Sequence, residues 1–286
     1  MNPALAALLL GAGCIALSPI FVRLSEAGPT ATAFWRVALA VPALWIFYLA
    51  REQGGRARAG AGKWPLLLLA GAAFAGDLGF WHLSIELTSV ANSTLLANLA
   101  SIFVTLGAWV FLRQKPSGMF LAGLAAALAG VVLLVRSSVE FSGTALLGDA
   151  LGVLTAMFYA GYIFAVKGLR DRGEGALRLM AVTSTVTAVL LLPVALASGE
   201  QFLPATAMGW ATLLGLALIS HAAGQGLIAY ALAHLRAAFS SVALLLQPVM
   251  ASLFAWLLLA EALAPLQLAG AVIVLLGIYL ARKGSD

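Results

Sequence analysis

FSSVALLLQPVMASLFAWLLLAE, residues 239–261, is followed after Ala262 by LAPLQLAGAVIVLLGIYL, residues 263–280. These are two apolar runs, each long enough to cross a bilayer as a helix. The break between them holds one acid, Glu261, and one proline, Pro265. The first run carries Gln247-Pro248 near its middle, and the second places Gly270 and Gly277 on one helix face. The stretch has a twin earlier in the chain. Leu121-Ala122-Gly123, Leu128, Gly130 and Leu133 return as Leu268-Ala269-Gly270, Leu275, Gly277 and Leu280. The chain is written twice, and function has to be read from that duplication.

The rest of the chain has the same character. Hydrophobic residues make up 63% and charged residues only 9%, with a mean hydropathy of +1.03. Soluble domains carry about 25% charged residues, so this chain cannot cover a water-facing surface and its solvent is largely lipid. Alternating strand patterns are absent, which argues against a β-barrel. Backbone groups in lipid must be bonded within their own segment, which leaves an all-α membrane protein, a helical bundle. Ten spans follow: Ala4–Leu24, Thr30–Ala50, Trp64–Ile85, Val90–Leu112, Gly118–Val135, Leu147–Gly168, Leu177–Ala197, Ala207–Ala231, Ala238–Ala260 and Pro265–Ala281. The first reads as a span and not as a cleaved signal peptide. Cys14 is the only cysteine, so no intrachain disulfide forms, and it reads as a small packing residue.

Loop charges set the orientation. With the N-terminus in the cytoplasm, thirteen of the 16 basic residues fall on the cytoplasmic side, among them Arg51, Lys63, Arg113, Lys167, Arg178 and Arg282. Glu26, Glu86, Glu140, Glu200 and Glu261 fall outside. The positive-inside rule therefore places both termini in the cytoplasm of a bacterial inner membrane. The net charge of +5 is explained by these loops and does not point to nucleic acid. Residues 1–137 and 138–286 form the two halves. Each has five spans, an odd number, so the second half enters the membrane inverted. Inverted repeats around a central cavity are a transporter architecture.

Gln247-Pro248-Val249, Glu261, Gly270 and Gly277, on top of the span count and duplication, resemble the closing motif of the drug/metabolite transporter superfamily. The chain is identified as a member of its ten-helix EamA family. The resemblance implies export or import of small metabolites, and the aromatic inventory looks most like the bacterial aromatic amino-acid exporters. The first half departs from the pattern: Ala100 stands where the second has Pro248, and Arg113 where it has Glu261. The two halves are therefore not expected to be equivalent hinges.

Polar residues at mid-depth are costly in lipid and mark cavities. Asp77 in span 3, with Trp81 one turn on, is a candidate for proton coupling or for contact with a substrate ammonium. The structural alternative pairs it with Arg36. His221 and Gln225 lie one turn apart in span 8, and His221 is a candidate for both substrate contact and proton coupling. The alternative for both is an interhelical hydrogen bond. Asn98 and Gln247 offer amide donors and acceptors that suit a zwitterion. Tyr159 and Tyr162 in span 6 offer aromatic faces, with Trp35, Phe80 and Tyr230 further candidates. Trp64, Trp210 and Tyr279 match an interfacial belt, and His82 reads as interfacial. Pro19 and Pro248 are candidate hinges, with a static bend as the alternative. The glycines of spans 5 and 10 suggest a supporting helix pair, or a weak dimer face, rather than cavity wall.

No motif for a nucleotide, metal, cofactor or covalent catalyst is present. The resulting expectation is a monomeric or weakly dimeric ten-helix transporter, not an enzyme, that works on a small molecule by alternating access. Its cavity is expected between spans 1, 3, 4, 6, 8 and 9. The expected cargo is an amino acid with an apolar or aromatic side chain, moved outward. A multidrug or other metabolite permease of the same fold is the alternative. An intramembrane enzyme would need a reactive constellation beyond isolated Asp77 and His221, and a channel would need a selectivity loop or charged ring.

Overall fold

The structure is a computed structural model that describes residues 2–52, 63–88, 90–135, 145–260 and 263–285. Glu261, part of the closing motif, lies outside the described residues. Among the described residues every regular element is helical. Nine helical segments are long and apolar enough to cross a membrane, and Gly118–Leu134 is a shorter apolar helix. The helix containing it, α8 (Gly118–Val135), has 18 residues, about 27 Å of rise and close to the thickness of a bilayer core. The ten expected spans are therefore present as two five-span repeats.

Five of the spans are not single helices: four are broken, and span 8 changes helix type along its length. Span 1 is α1 (Pro3–Ala16) and α2 (Ser18–Arg23); span 2 is α3 (Pro29–Ala38) and α4 (Ala40–Glu52). Span 3 is the unbroken α5 (Trp64–Leu87), and span 4 divides into α6 (Val90–Ala97) and α7 (Ala100–Leu112). After α8 come α9 (Ala145–Asp171) and α10 (Ala176–Ala197), which are continuous. Span 8 runs from α11 (Ala207–Gly215) through a π-helical stretch (Leu216–Gln225) into α12 (Gly226–Ala231). Span 9 is α13 (Ala237–Ala243) and α14 (Leu246–Leu259), and span 10 is α15 (Pro265–Lys283).

Three of these breaks have a proline as their cause. A proline lacks the N–H that would bond four residues back, and its ring crowds that carbonyl. Pro19, Pro42 and Pro248 each stand a few residues beyond a break, at Leu17, Leu39 and Leu244-Leu245. Span 4 breaks at Asn98-Leu99 with no proline. There the Asn98 side chain donates to the Thr94 carbonyl oxygen at 2.8 Å, the acceptor its own backbone N–H also uses at 3.1 Å. An asparagine that competes for helix carbonyls weakens the helix locally. The lack of a proline at the corresponding place, Ala100-Ser101, thus does not spare the first half its break.

The repeat register also differs slightly from the one read in sequence. α7 and α14 end on left-handed residues, Arg113 (φ 56°) and Ala260 (φ 55°). Each cap N–H bonds a carbonyl five residues back, Ala108 and Ala255. Arg113 is therefore the structural partner of Ala260, not of Glu261, at the same separation that relates Gly123 to Gly270.

The two halves are interleaved. The most extensive helix pairings all join one half to the other: α8 with α15, α5 with α9, α10 with α3 and α5, and α1 with span 8. The closest is α8 on α15, where a methyl added at Gly130 would lie 2.7 Å from the Gly270 carbonyl oxygen and from the Val274 nitrogen. Clasps join the halves at both ends. At one end Glu174, 3% exposed, meets Arg178 at 2.7 Å and Lys63 at 3.3 Å. At the other, two loops exchange carboxylates. Glu200 accepts from Thr30 N–H and Oγ1 (2.8 and 2.7 Å) at the start of α3. Glu26 accepts from Ala205 and Thr206 N–H (both 2.9 Å) and from the Thr206 hydroxyl at the start of α11. The Thr206 hydroxyl, and then its N–H, hold the Glu26 carboxyl below the usual carboxylate range.

Candidate functional site

A cavity of about 150 Å³ lies among spans 1, 2, 3, 4, 6, 8 and 9. That is room for roughly five waters or a small organic solute. It sits against the breaks of spans 1, 4 and 9, since Pro19, Asn98, Leu244, Leu245 and Pro248 all line it. Span 5 and span 10 contribute nothing to the wall. The breaks explain the position: polar backbone without regular helical bonding is tolerated in a membrane only where it is buried in protein or faces a wet cavity.

The polar wall is built from side chains of six helical segments. Asp77 comes from α5, Asn98 from the break of span 4, Tyr159 from α9, Gln225 from the end of the π-helical stretch and Gln247 from α14. The Tyr159 phenol lies beside the amides of Gln225 and Gln247. Trp81 and Phe74 of α5 supply aromatic surface. The sixth polar group is Arg36 of α3, 5% exposed, which lines the cavity and interacts electrostatically with Asp77.

The expected residues thus divide into two layers. Asp77, Trp81, Asn98, Tyr159, Gln225, Gln247, Pro19 and Pro248 line the cavity together. Tyr162 and His221 lie behind the wall. Tyr162 is 2% exposed, packs on Phe74 with ring centroids 4.7 Å apart and on Tyr159 at 6.0 Å, and donates to Met180 Sδ at 3.8 Å. His221 is 1% exposed, stacks on the Phe74 ring at 5.4 Å and places Nε2 2.8 Å from Ser184 Oγ. Phe74 therefore separates both from the cavity. Both His221 and Gln225 belong to the π-helical stretch: Gln225, at its end, lines the cavity, and His221, four residues earlier, stacks on Phe74. His82 is also buried, at 1% exposure, with Nδ1 2.7 Å from the Leu78 carbonyl oxygen. Its ring faces protein and not the surroundings of the bundle.

Sequence reasoning left out Arg36 as a wall residue, although the rule that flagged Asp77, an ionisable group within a span, applies equally to it. It also missed the small hydroxyls Ser18, Thr94, Ser101, Thr155 and Ser241. Most of these satisfy themselves on their own helix. Ser101, Thr155 and Ser241 donate to the carbonyls of Asn98, Leu151 and Ala238, so nothing in their spacing signals a cavity.

Comparison with known proteins places the chain. The EamA-like transporter family matches residues 2–136 and again 146–282. The chain belongs to that family. It is 29% identical over 275 residues to an uncharacterised transporter of Archaeoglobus fulgidus, covering 91% of each chain. It is 30% identical over 248 residues to a probable amino-acid metabolite efflux pump of Salmonella typhimurium, covering 82% of this chain and 79% of that one. A probable terminal-alkyne amino-acid exporter of Streptantibioticus cattleyicolor is 31% identical over 193 residues, 67% of this chain and 64% of the other. A solved crystal structure at 17% identity superposes with a TM-score of 0.79 over 99% of this chain, which shows the shared fold. The family and these relatives are transporters, and this EamA member is a multi-pass membrane protein of that kind.

Proposed function

We propose that this EamA protein exports amino acids with apolar or aromatic side chains across a bacterial inner membrane by alternating access, with both termini in the cytoplasm. The observation that carries the reading is the composition of the cavity. It combines a carboxylate, a guanidinium and three amides with the faces of Trp81, Tyr159 and Phe74. Opposite charges suit the two ends of a zwitterion, and the aromatic faces suit a flat apolar side chain. The names of the Salmonella and Streptantibioticus relatives support the same cargo class. The concentration of basic residues on one set of loops supports the orientation.

In this reading no covalent bond changes, and no loop carries a nucleotide motif, so flux is facilitated or coupled to an ion gradient. Residues 1–137 and 138–286 act as the two repeats. Because their helices interleave, access alternates through bending at the broken spans, Pro19 and Pro248 among the hinges, and not through two halves parting as blocks. The test is flux of a labelled amino-acid panel in proteoliposomes, with and without an imposed pH gradient. Saturable flux of phenylalanine, tryptophan or leucine that falls about tenfold or more in Gln247→Ala is expected from the loss of a buried polar partner. No flux of any amino acid sinks the reading. Insensitivity to the gradient would remove proton coupling at Asp77 while leaving the cargo. A permease for cationic drugs is a second reading, supported by Asp77 in the wall, and flux of cations without amino-acid flux would select it.

A further inference from the structure

Among the described residues, five buried side-chain atoms have no hydrogen-bond partner: Ser18 Oγ, Arg36 Nε, His82 Nε2, His221 Nδ1 and Gln225 Oε1. Ser18, Arg36 and Gln225, at 3%, 5% and 3% exposure, belong to the wall of the central cavity. Leaving a buried donor or acceptor unpaired is costly, and more so for a charged group. Three such atoms around one cavity call for a partner that enters it.

Their chemistry states what that partner must offer. Arg36 Nε–H is a charged donor and can only donate. Gln225 Oε1 can only accept, and the Ser18 hydroxyl does either. Asp77, in the same wall, adds carboxyl oxygens that can accept. The wall thus asks for a ligand that carries an anionic acceptor at one end and N–H donors at the other.

We propose that Arg36, with the Ser18 hydroxyl, receives the α-carboxylate of a zwitterionic substrate, and that Asp77 and Gln225 receive its α-ammonium. This rests on the reading of the cargo as an amino acid and deepens it by assigning the two ends of the molecule. Arg36 and Asp77 interact electrostatically within the wall. A zwitterion brings one charge of each sign, so the site gains partners without gaining net charge. An ester or amide leaves Arg36 without a carboxylate, and an N-acylated analogue leaves Asp77 and Gln225 one neutral N–H in place of the three charged donors of an ammonium. Discrimination arises from the group left unpaired, which is where polar sites discriminate most strongly.

The experiment is competition in proteoliposomes against whichever labelled amino acid the wild-type protein transports best. The competitors are that amino acid, its α-amide and its N-acetyl derivative. Wild type is expected to favour the free amino acid over either derivative by about 10- to 100-fold. Arg36→Gln is expected to bring the α-amide to within about twofold of the free amino acid while still rejecting the N-acetyl form. Gln225→Leu is expected to relax rejection of the N-acetyl form and keep that of the amide. This second variant carries the test if Arg36→Gln fails to fold, as judged by size-exclusion chromatography in detergent. A merely structural role for Arg36 would lower all three competitors together. Amino-acid flux with unchanged discrimination in the variants overturns the assignment alone. Absence of flux for every amino acid in wild type overturns the cargo reading and the assignment with it.

Discussion

Spans 4 and 9 and spans 5 and 10 are both pairs related by the repeat, yet they are built in opposite ways. Spans 5 and 10 share Leu-Ala-Gly and then a leucine, a glycine and a leucine at one constant separation. They run unbroken, press their glycines together and stay out of the cavity. Spans 4 and 9 share little sequence but the same shape: a short helix, a break, a longer helix and a left-handed cap. They reach the break by different means, Asn98 in one and Pro248 in the other, and both breaks line the cavity. Close backbone packing admits only glycine at its contact points, so it preserves residues. A bend can be made in several ways, so it preserves geometry and frees the side chains for two unlike ends of a cargo.

The sharpest way to break this comparison is a single methyl. Gly130→Ala places its Cβ 2.7 Å from backbone atoms of α15, which no rotamer can relieve. A loss of about 1–3 kcal/mol is expected from overpacking. Gly13 in α1 has open space where its Cβ would be. Gly13→Ala is expected to be neutral or to stabilise by up to about 1 kcal/mol, as for glycine in a helix interior. Thermal unfolding in detergent reads both. Equal shifts at the two sites would mean that α8 and α15 do not meet as closely as described.

A smaller effect on stability and a larger one on turnover is expected at the breaks. Pro248→Ala restores the missing N–H to α14, and Asn98→Leu removes the side chain that competes for the Thr94 carbonyl. Both favour a straighter helix, so stability is expected to stay within about 1 kcal/mol of wild type or to rise. Transport is expected to fall about tenfold in each, as when a hinge is lost. Flux in proteoliposomes and unfolding in detergent would be measured on the same preparations. Full flux in both variants would show that the breaks are static bends.

What could be read from the sequence follows the same division. The spans and the repeat were legible because a lipid-facing helix announces itself by composition over a local window, and the α8–α15 pair because its glycines recur. Asp77, Asn98, Gln225 and Gln247 stood out as polar groups at mid-depth. Arg36 belongs to the same class, but from sequence it reads only as a pairing partner for Asp77; the folded chain shows its Nε unpaired and its side chain in the cavity wall. The break at Asn98 and the π-helical stretch of span 8 leave no local signature, since a helix accepts either residue pattern without them. A spacing of four residues puts His221 near the face of Gln225, and only the folded chain shows Phe74 stacked on it at the cavity wall.

The two tyrosines of α9 test the division between wall and backing layer at its finest scale. Tyr159 and Tyr162 lie three residues apart on one helix, with ring centroids 6.0 Å apart. Tyr159 faces the cavity beside Gln225 and Gln247, while Tyr162 points to Met180. Removing the Tyr159 hydroxyl takes one polar partner from the wall, so Tyr159→Phe is expected to cost about 3- to 10-fold in transport. The Tyr162 hydroxyl meets only a thioether sulfur, a weak acceptor, and its ring stays packed on Phe74 after the change. Tyr162→Phe is therefore expected to leave transport within about twofold of wild type and stability within about 0.5 kcal/mol. Equal losses from the two substitutions would place both phenols on the transport path, and the separation that Phe74 makes between the layers would then not hold during the cycle.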